Sequence, residues 1–106
     1  MKNKEIDIAT NLKVVDWLKA ELVDSVAVLF KSLLKASADV TADALSTIII
    51  TTYLLGRRVG IQFQTIDMVV NYKLNNSINE ANEIEQWYGD LTELRQYIES
   101  REQKKR

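Results

Sequence analysis

The chain has 106 residues, a formal net charge of −1, and no cysteine, histidine or proline. Its length suits one domain. The missing residue types exclude disulfides, zinc sites built from Cys or His, and catalysis by Ser-His or Cys-His pairs. With 14 basic and 15 acidic residues, the chain does not have the charge of a nucleic-acid-binding protein. The three glycines are too few for the turns of a β-sandwich, so long helices are expected.

The sequence pattern predicts neither a signal peptide nor a membrane span. The N-terminal Met1–Glu5 is polar and charged, unlike the apolar core of a signal peptide. The longest apolar stretch, Ala44–Leu55, has about twelve residues against the roughly twenty that cross a bilayer. We therefore expect a cytoplasmic protein with no membrane partner.

The first two predicted helices form the N-terminal half. One runs from Lys4 to about Ala36, with a candidate break near Thr10 or Asn11, and the other from about Thr41 to Val59. Gly60 is the expected C-terminal cap of the second helix. The turn between them offers three N-cap candidates, which are Ser37, Asp39 and Thr41. The apolar stripe expected to face inward on the first helix consists of Val15, Leu18, Leu22, Val26, Leu29 and Leu33.

Two further helices are predicted in the C-terminal half. A short one runs from Gln64 or Thr65 to about Asn75, followed by a turn at Asn75–Asn79. The last runs from about Glu80 to Arg101, with a kink or a close packing contact at Gly89, and residues 101–106 are expected to fray. The inward residues expected on these helices are Ile66, Val69, Val70 and Leu74, then Ile84, Trp87, Tyr88, Leu91, Leu94 and Ile98.

The second helix predicts self-association. Its segment Ile48–Leu55 is apolar all round, and a helix without a polar face must be enclosed on every side. A chain this short has little with which to enclose it. We therefore expect a homodimer, or a dimer of dimers, in which Ala44–Leu55 lies at or near the shared core.

Acidic residues are the candidate metal ligands. Glu21 and Asp24 are three residues apart, about 60° around a helix, and Asp43 opens the second helix one turn before Thr47. Carboxylate oxygens are the ligands that Mg²⁺ prefers. The alternatives are that Asp24 is an ordinary solvated acid and that Asp43 only favours the positive end of its helix.

The order of these acidic turns and the segment Tyr53–Ile61 resembles the MazG-type all-α nucleoside-triphosphate pyrophosphatases. Their signature is EExxE, a gap, and then ExxD. The segment Asn71–Lys73 resembles the downstream Asn-x-Lys element of that family, and the likeness is closest to a divergent MazG-like branch, in which Trp87–Leu91 also has a counterpart. The resemblance covers about Trp17–Leu74 and implies a MazG-like helical bundle for the single domain 1–106.

Residue by residue, the acidic signature is incomplete in this chain. Glu21 and Asp24 match two acids of the first motif, and Ala20 replaces the first glutamate. With Gly60 as the anchor, Ala44 and Thr47 stand in place of the Glu and Asp of the second motif. Asp43 then matches a flanking acid, or the motif itself if the register slips by one. Each lost carboxylate removes a ligand and a negative charge from a Mg²⁺ site.

The resemblance implies Mg²⁺-dependent hydrolysis of a nucleoside triphosphate, noncanonical or deoxy, to the monophosphate and pyrophosphate. Glu21, Asp24 and Asp43 would hold the metal, and Lys73, Asn71 and Arg57 would bind phosphates. Arg57 also has a simpler explanation, since cations are favoured near a helix C-terminus. The aromatic residues that suit either a nucleobase or, more often, core packing are Trp17, Tyr53, Trp87 and Tyr88.

The rival hypothesis is a MazG-like module that has lost catalysis and acts in nucleotide binding or protein interaction. The substitutions Ala20, Ala44 and Thr47 favour it. Nucleic-acid binding through the basic tail Lys104–Arg106 is disfavoured by the balanced charge of the chain.

Overall fold

The computed structural model describes residues 4–80 and 83–104, and these ranges are helical apart from short connections. The all-α prediction is confirmed, with five described helices instead of about four. Residues 81–82 and 105–106, within the predicted last helix and tail, lie outside the described residues. The helices are α1 (Lys4–Lys35), α2 (Ala38–Arg58), α3 (Phe63–Asn79), α4 (Glu83–Tyr88) and α5 (Asp90–Lys104).

Contacts divide the chain into two units, Met1–Phe63 and Gln64–Arg106. The first unit contains the α1–α2 hairpin, and the second contains most of α3 together with α4 and α5. That residues 1–106 form a single domain stays a prediction.

Helices α1 and α2 form an antiparallel hairpin that is closed mainly by small side chains. Ser32 contacts Thr41 near the turn, and Asn11 contacts Arg58 at the other end. The buried positions recur every seven residues, which is the spacing of a coiled-coil seam. We call this set the seam, and it consists of Leu18, Ser25 and Ser32 from α1 with Ala44 and Thr51 from α2.

The seam differs from the apolar stripe predicted on α1. Leu18 belongs to both and is 2% exposed, but Leu33 is 59% exposed, whereas Ser25 and Ser32 are buried. Small residues occupy the positions of Ser25 and Ser32 because they let the two helix backbones approach closely, which a leucine at the same place would prevent. The stripe therefore flanks the contact instead of forming its centre.

Two hydroxyl groups lie close together at the turn end of the hairpin. Ser32 Oγ and Thr41 Oγ1 lie 2.7 Å apart, and each also contacts a carbonyl, those of Leu29 at 2.7 Å and Ser37 at 2.8 Å. The two hydroxyl protons can serve two of these three contacts at a time. Thr41 lies within α2, which begins at Ala38. Ser37 is the N-cap, without a side-chain cap hydrogen bond.

At the far end of the hairpin, backbone hydrogen bonds end α2, and one side-chain amide joins α1 to α2. Gly60 has a φ of +92°, and its N–H donates to the carbonyl of Arg57 at 3.1 Å, while the N–H of Ile61 donates to that of Gly56 at 2.9 Å. This pair of bonds is a Schellman motif, so the predicted cap at Gly60 is confirmed. Asn11 Nδ2 donates to the Arg58 carbonyl at 3.1 Å, and α1 passes through Asn11 without a break.

In the second unit, α3 is longer than predicted. It continues to Asn79, so the predicted turn at Asn75–Asn79 is wrong. The asparagines remain helical, and Asn75 Oδ1 accepts a hydrogen bond from Arg95 Nη1 of α5 at 2.9 Å. Leu74 is the buried apolar side chain of α3, whereas Val69 and Val70 are exposed.

The predicted last helix is broken at Gly89, which separates α4 from α5. Its φ is +67°, and a Cβ added there would meet nothing within 4 Å, so the glycine serves the turn and not a close contact. Glu85 then caps α5. Its carboxylate accepts the backbone N–H of Thr92 at 3.1 Å and also the Thr92 hydroxyl. The hydrogen bond from the Thr92 side chain is the main reason that the pKa of Glu85 is lowered.

Among the described residues, one helix passes a length and hydropathy test for a membrane span. That helix is α2, with a mean hydropathy of 1.3 over its best 18-residue window. The core helix of a soluble protein passes the same test. In this structure 11% of that window is buried, at Ala44 and Thr51, which lie in the contact with α1.

We predict that enlarging the seam destabilises the protein. Ala44 is 3% exposed, so Ala44→Leu forces α1 and α2 apart and should lower the free energy of unfolding by about 1–3 kcal/mol. Ala42→Leu, two residues away and exposed, is the matched control and should be nearly neutral. Urea unfolding followed by circular dichroism at one protein concentration measures both, and equal stability of the two variants would contradict the seam.

We also predict a pH-dependent contribution from Glu85. Because its pKa is lowered in the folded state, its stabilisation is complete above the ordinary glutamate pKa of about 4.3 and is lost as the pH falls through the lowered value. Glu85→Gln should therefore melt below the parent at pH 7 and together with it near pH 3. The control is Glu83→Gln on the same helix, and a parent–variant difference independent of pH would refute the assignment.

Candidate functional site

The three predicted acids lie on one side of the hairpin. Trp17 and Asp24 are seven residues apart and share a face of α1, and Asp43 and Leu54 are eleven apart and share a face of α2. Trp17 and Leu54 line the same pocket, so these two faces are on the same side of the molecule. Glu21 lies between Trp17 and Asp24 along α1. We call the surface that carries these three acids together with Trp17 and Leu54 the acidic side.

Along the hairpin axis the three acids are spread out. The contacts Ser32–Thr41 and Asn11–Arg58 fix the level of each residue on the two helices. By interpolation, Asp24 lies level with Thr47, and Asp43 lies nearer the turn. Thr47 is four residues after Asp43, so at 1.5 Å per residue Asp43 is roughly 6 Å farther along the axis than Asp24. Within one chain the structure therefore brings Glu21 and Asp24 together and leaves Asp43 apart.

Metal binding on the acidic side depends on the exposure of its acids and on how many of them lie close together. Glu21 is half-buried, and Asp24 and Asp43 are exposed. Among the side chains that the structure describes, residues 7–80 and 83–103, no group of three or more acids is close enough to hold a metal ion. The pair Glu21 and Asp24 can offer two carboxylates to a hard cation.

The two positions of the second acidic motif have different surroundings. Ala44 is buried in the seam, where an acid would face α1 and not the acidic side. Thr47 is half-buried, and its hydroxyl donates to the Asp43 carbonyl at 3.0 Å, as does that of Ser46 at 2.8 Å. Thr47 therefore offers a neutral oxygen in place of a carboxylate.

A pocket of about 200 Å³ lies on the acidic side, at the end of the hairpin away from the turn. Trp17 forms one wall and is 61% exposed, which sequence reasoning missed because its helical spacing favours core packing. The Arg57 guanidinium lies 5.0 Å from the centre of the Phe63 ring, a cation–π contact that holds it at this end. The residues that line this Trp17 pocket are Val14, Trp17, Leu18, Leu54, Arg57 and Arg58.

The other predicted phosphate ligands are on α3, in the second unit. Lys73 is exposed, and Asn71 is half-buried. Trp87 and Tyr88, considered for stacking, are both exposed in α4 and contact each other edge to face at 6.3 Å. Tyr53 is half-buried and packs edge to face on Phe63 at 5.8 Å.

Sequence reasoning also missed an open pocket of about 480 Å³ near the start of α1. Its position depends on the level at which α1 meets the end of α2, and no local pattern encodes that level. The pocket contains one acid and one cation, and it is lined by Asp7, Ile8, Thr10, Asn11, Leu12 and Arg58.

The described residues form an all-α protein whose first unit is an antiparallel helical hairpin, with two carboxylates three residues apart on α1. Residues 8–91 match the MazG-like family, which is most of the chain. The protein belongs to the MazG-like family. No curated protein and no solved structure matches it.

Proposed function

We propose that this MazG-like protein is a Mg²⁺-dependent nucleoside triphosphate pyrophosphohydrolase, with a noncanonical or deoxy nucleoside triphosphate as its substrate. The observation that carries the proposal is the acidic side of the hairpin, where Glu21, Asp24 and Asp43 share one surface with Trp17 and Arg57. Family membership supports the same reaction class.

The acids of this side suit a magnesium ion that arrives with its substrate. Mg²⁺ usually keeps several waters and is held by one or two carboxylates together with substrate phosphates. Glu21 and Asp24 meet that requirement, and Asp43 is proposed as the third acidic residue of the set. Its exposed position, next to the buried Ala44, supports the register in which Asp43 is the acid of the second motif. Bound there, the ion would neutralise phosphate charge.

The reaction joins a water oxygen to the α-phosphorus and breaks the bond from the α-phosphorus to the oxygen that bridges to the β-phosphorus. Pyrophosphate leaves with the electron pair, the attacking water loses a proton to the solvent, and the nucleoside monophosphate remains. Lys73 and Asn71 are proposed to bind phosphate oxygens, the lysine by charge and the amide by donating hydrogen bonds. Arg57 stays a third candidate for the phosphates, although it lies beyond Trp17 as seen from Glu21.

The second candidate function is a MazG-like module without catalysis that binds nucleotides or a protein. The neutral Thr47 oxygen favours it, as does the distance of Asp43 from the other two acids in one chain. Such a module would bind its ligand without hydrolysing it.

We further propose that the protein is cytoplasmic and that a second copy covers the apolar side of the hairpin. Leu45 is two residues after Asp43 and is therefore turned about 200° away from the acidic side. Among the described residues, the apolar side chains that are buried are only Leu18, Ala44 and Leu74. The exposed residues that form this apolar side are Leu12, Val23, Phe30, Leu33, Leu45 and Ile49.

Pyrophosphate release tests the catalytic proposal. Incubated with a panel of nucleoside triphosphates and Mg²⁺ or Mn²⁺, the protein should release pyrophosphate. Glu21→Gln and Asp43→Ala should each reduce kcat/KM by on the order of 100-fold, because each removes a carboxylate from the set. Asp16→Asn, an exposed acid of α1 outside the set, should retain the rate.

Two results would decide between the candidates. The absence of pyrophosphate release from every triphosphate would refute the hydrolase. A rise in melting temperature with nucleotide, without turnover, would favour the binding module, because a ligand at 100 times its Kd stabilises by about 2.7 kcal/mol.

Self-association has its own test. Ile49 is 57% exposed on the apolar side, and Ile49→Asp should convert an oligomer to a monomer of 12.2 kDa, because a charge would be buried between copies. Ser100→Asp, the same charge change on exposed α5, should leave the mass unchanged. Light scattering after size exclusion measures the mass, and a parent protein that is already monomeric would contradict the proposal.

A further inference from the structure

The Trp17 pocket has a mainly apolar lining with one exposed aromatic wall. Val14, Leu18 and Leu54 contribute aliphatic surface, and Arg57 and Arg58 border the same volume. Trp17 is 61% exposed, so much of its ring is accessible to a ligand. A flat, aromatic ligand that carries hydrogen-bond acceptors is complementary to this set.

The order of residues along the acidic side assigns an orientation to such a ligand. Trp17 is four residues before Glu21, which is about 6 Å along the helix axis. By the pairing of the two helices, Arg57 lies near the level of Leu12, on the far side of Trp17 from Glu21. A ring stacked on Trp17 therefore has Glu21 beyond one edge and the arginine beyond the other.

We propose that the Trp17 pocket binds the base of the nucleotide, with the indole stacked on it and Arg57 donating to its carbonyl oxygens. The proposal rests on the function proposed above, and it places Arg57 at the base and not at the phosphates. A guanidinium has donors and no acceptors. It therefore matches a base with a carbonyl edge, such as guanine, hypoxanthine or uracil, and opposes the amino group that adenine or cytosine presents there.

The test uses the full chain with Trp87→Phe, which leaves Trp17 as the single tryptophan of the two in the sequence. Indole fluorescence is followed without divalent metal as GMP, AMP or ribose 5-phosphate is added. GMP should quench Trp17, AMP should bind about tenfold more weakly, and ribose 5-phosphate, which has no base, should cause no quenching. Quenching by none of them, or equally by all three, would overturn the pocket.

A second variant isolates the arginine. Arg57→Gln should abolish the preference for GMP over AMP, because the glutamine amide can both donate and accept. Arg101→Gln is the matched control, since Arg101 also lies over an aromatic ring, 5.8 Å from the centre of Tyr97, but on α5. A preference that survives Arg57→Gln would refute the contact to the base edge.

These binding results can be separated from the hydrolase result. Pyrophosphate release without base-dependent quenching would overturn the pocket and leave the hydrolase standing. Quenching by GMP without pyrophosphate release would support the pocket and favour the non-catalytic nucleotide-binding module.

Discussion

Close contact between α1 and α2 is the constraint on which the rest of the hairpin depends. Ser25 and Ser32 of α1 and Ala44 and Thr51 of α2 are buried at seven-residue spacing, so that small side chains occupy positions that a coiled coil usually gives to leucine. Such a seam buries little apolar area, and its hydroxyl groups must be paired by hydrogen bonds. The two helices are therefore fixed in level, but most of their apolar side chains remain outside the contact.

The axial alignment of α1 against α2 decides which residues lie together on each side of the hairpin. On the acidic side it sets Trp17 beside Leu54 and Arg57, and it sets Asp24 level with Thr47. On the apolar side it leaves leucines and isoleucines exposed, which is a reason for self-association. Nucleotide chemistry and assembly are thus proposed on opposite surfaces of one helical pair, so that a variant of either surface can be tested without altering the other.

Much of the fold was predictable from local pattern, and the errors have physical causes. The first two helices and the cap at Gly60 follow from helical spacing and from the positive φ that glycine tolerates. The turn predicted at Asn75–Asn79 is wrong because a helix can continue through asparagines that form side-chain contacts, as Asn75 does with Arg95. Gly89 was expected to disturb the last helix, but the capping of α5 by Glu85 depends on the turn that it makes.

The sequence by itself determined the helical class, the family likeness, the acids Glu21, Asp24 and Asp43, and the pairing of the first two of them, since three residues on a helix always share a face. Only the tertiary structure decided that Ala44 is buried, that Asp43 lies apart along the axis and that Trp17 is exposed beside Arg57. The physical reason is that helical period fixes the angle of a side chain about its own axis. The level at which two helices meet depends on which small residues let their backbones approach.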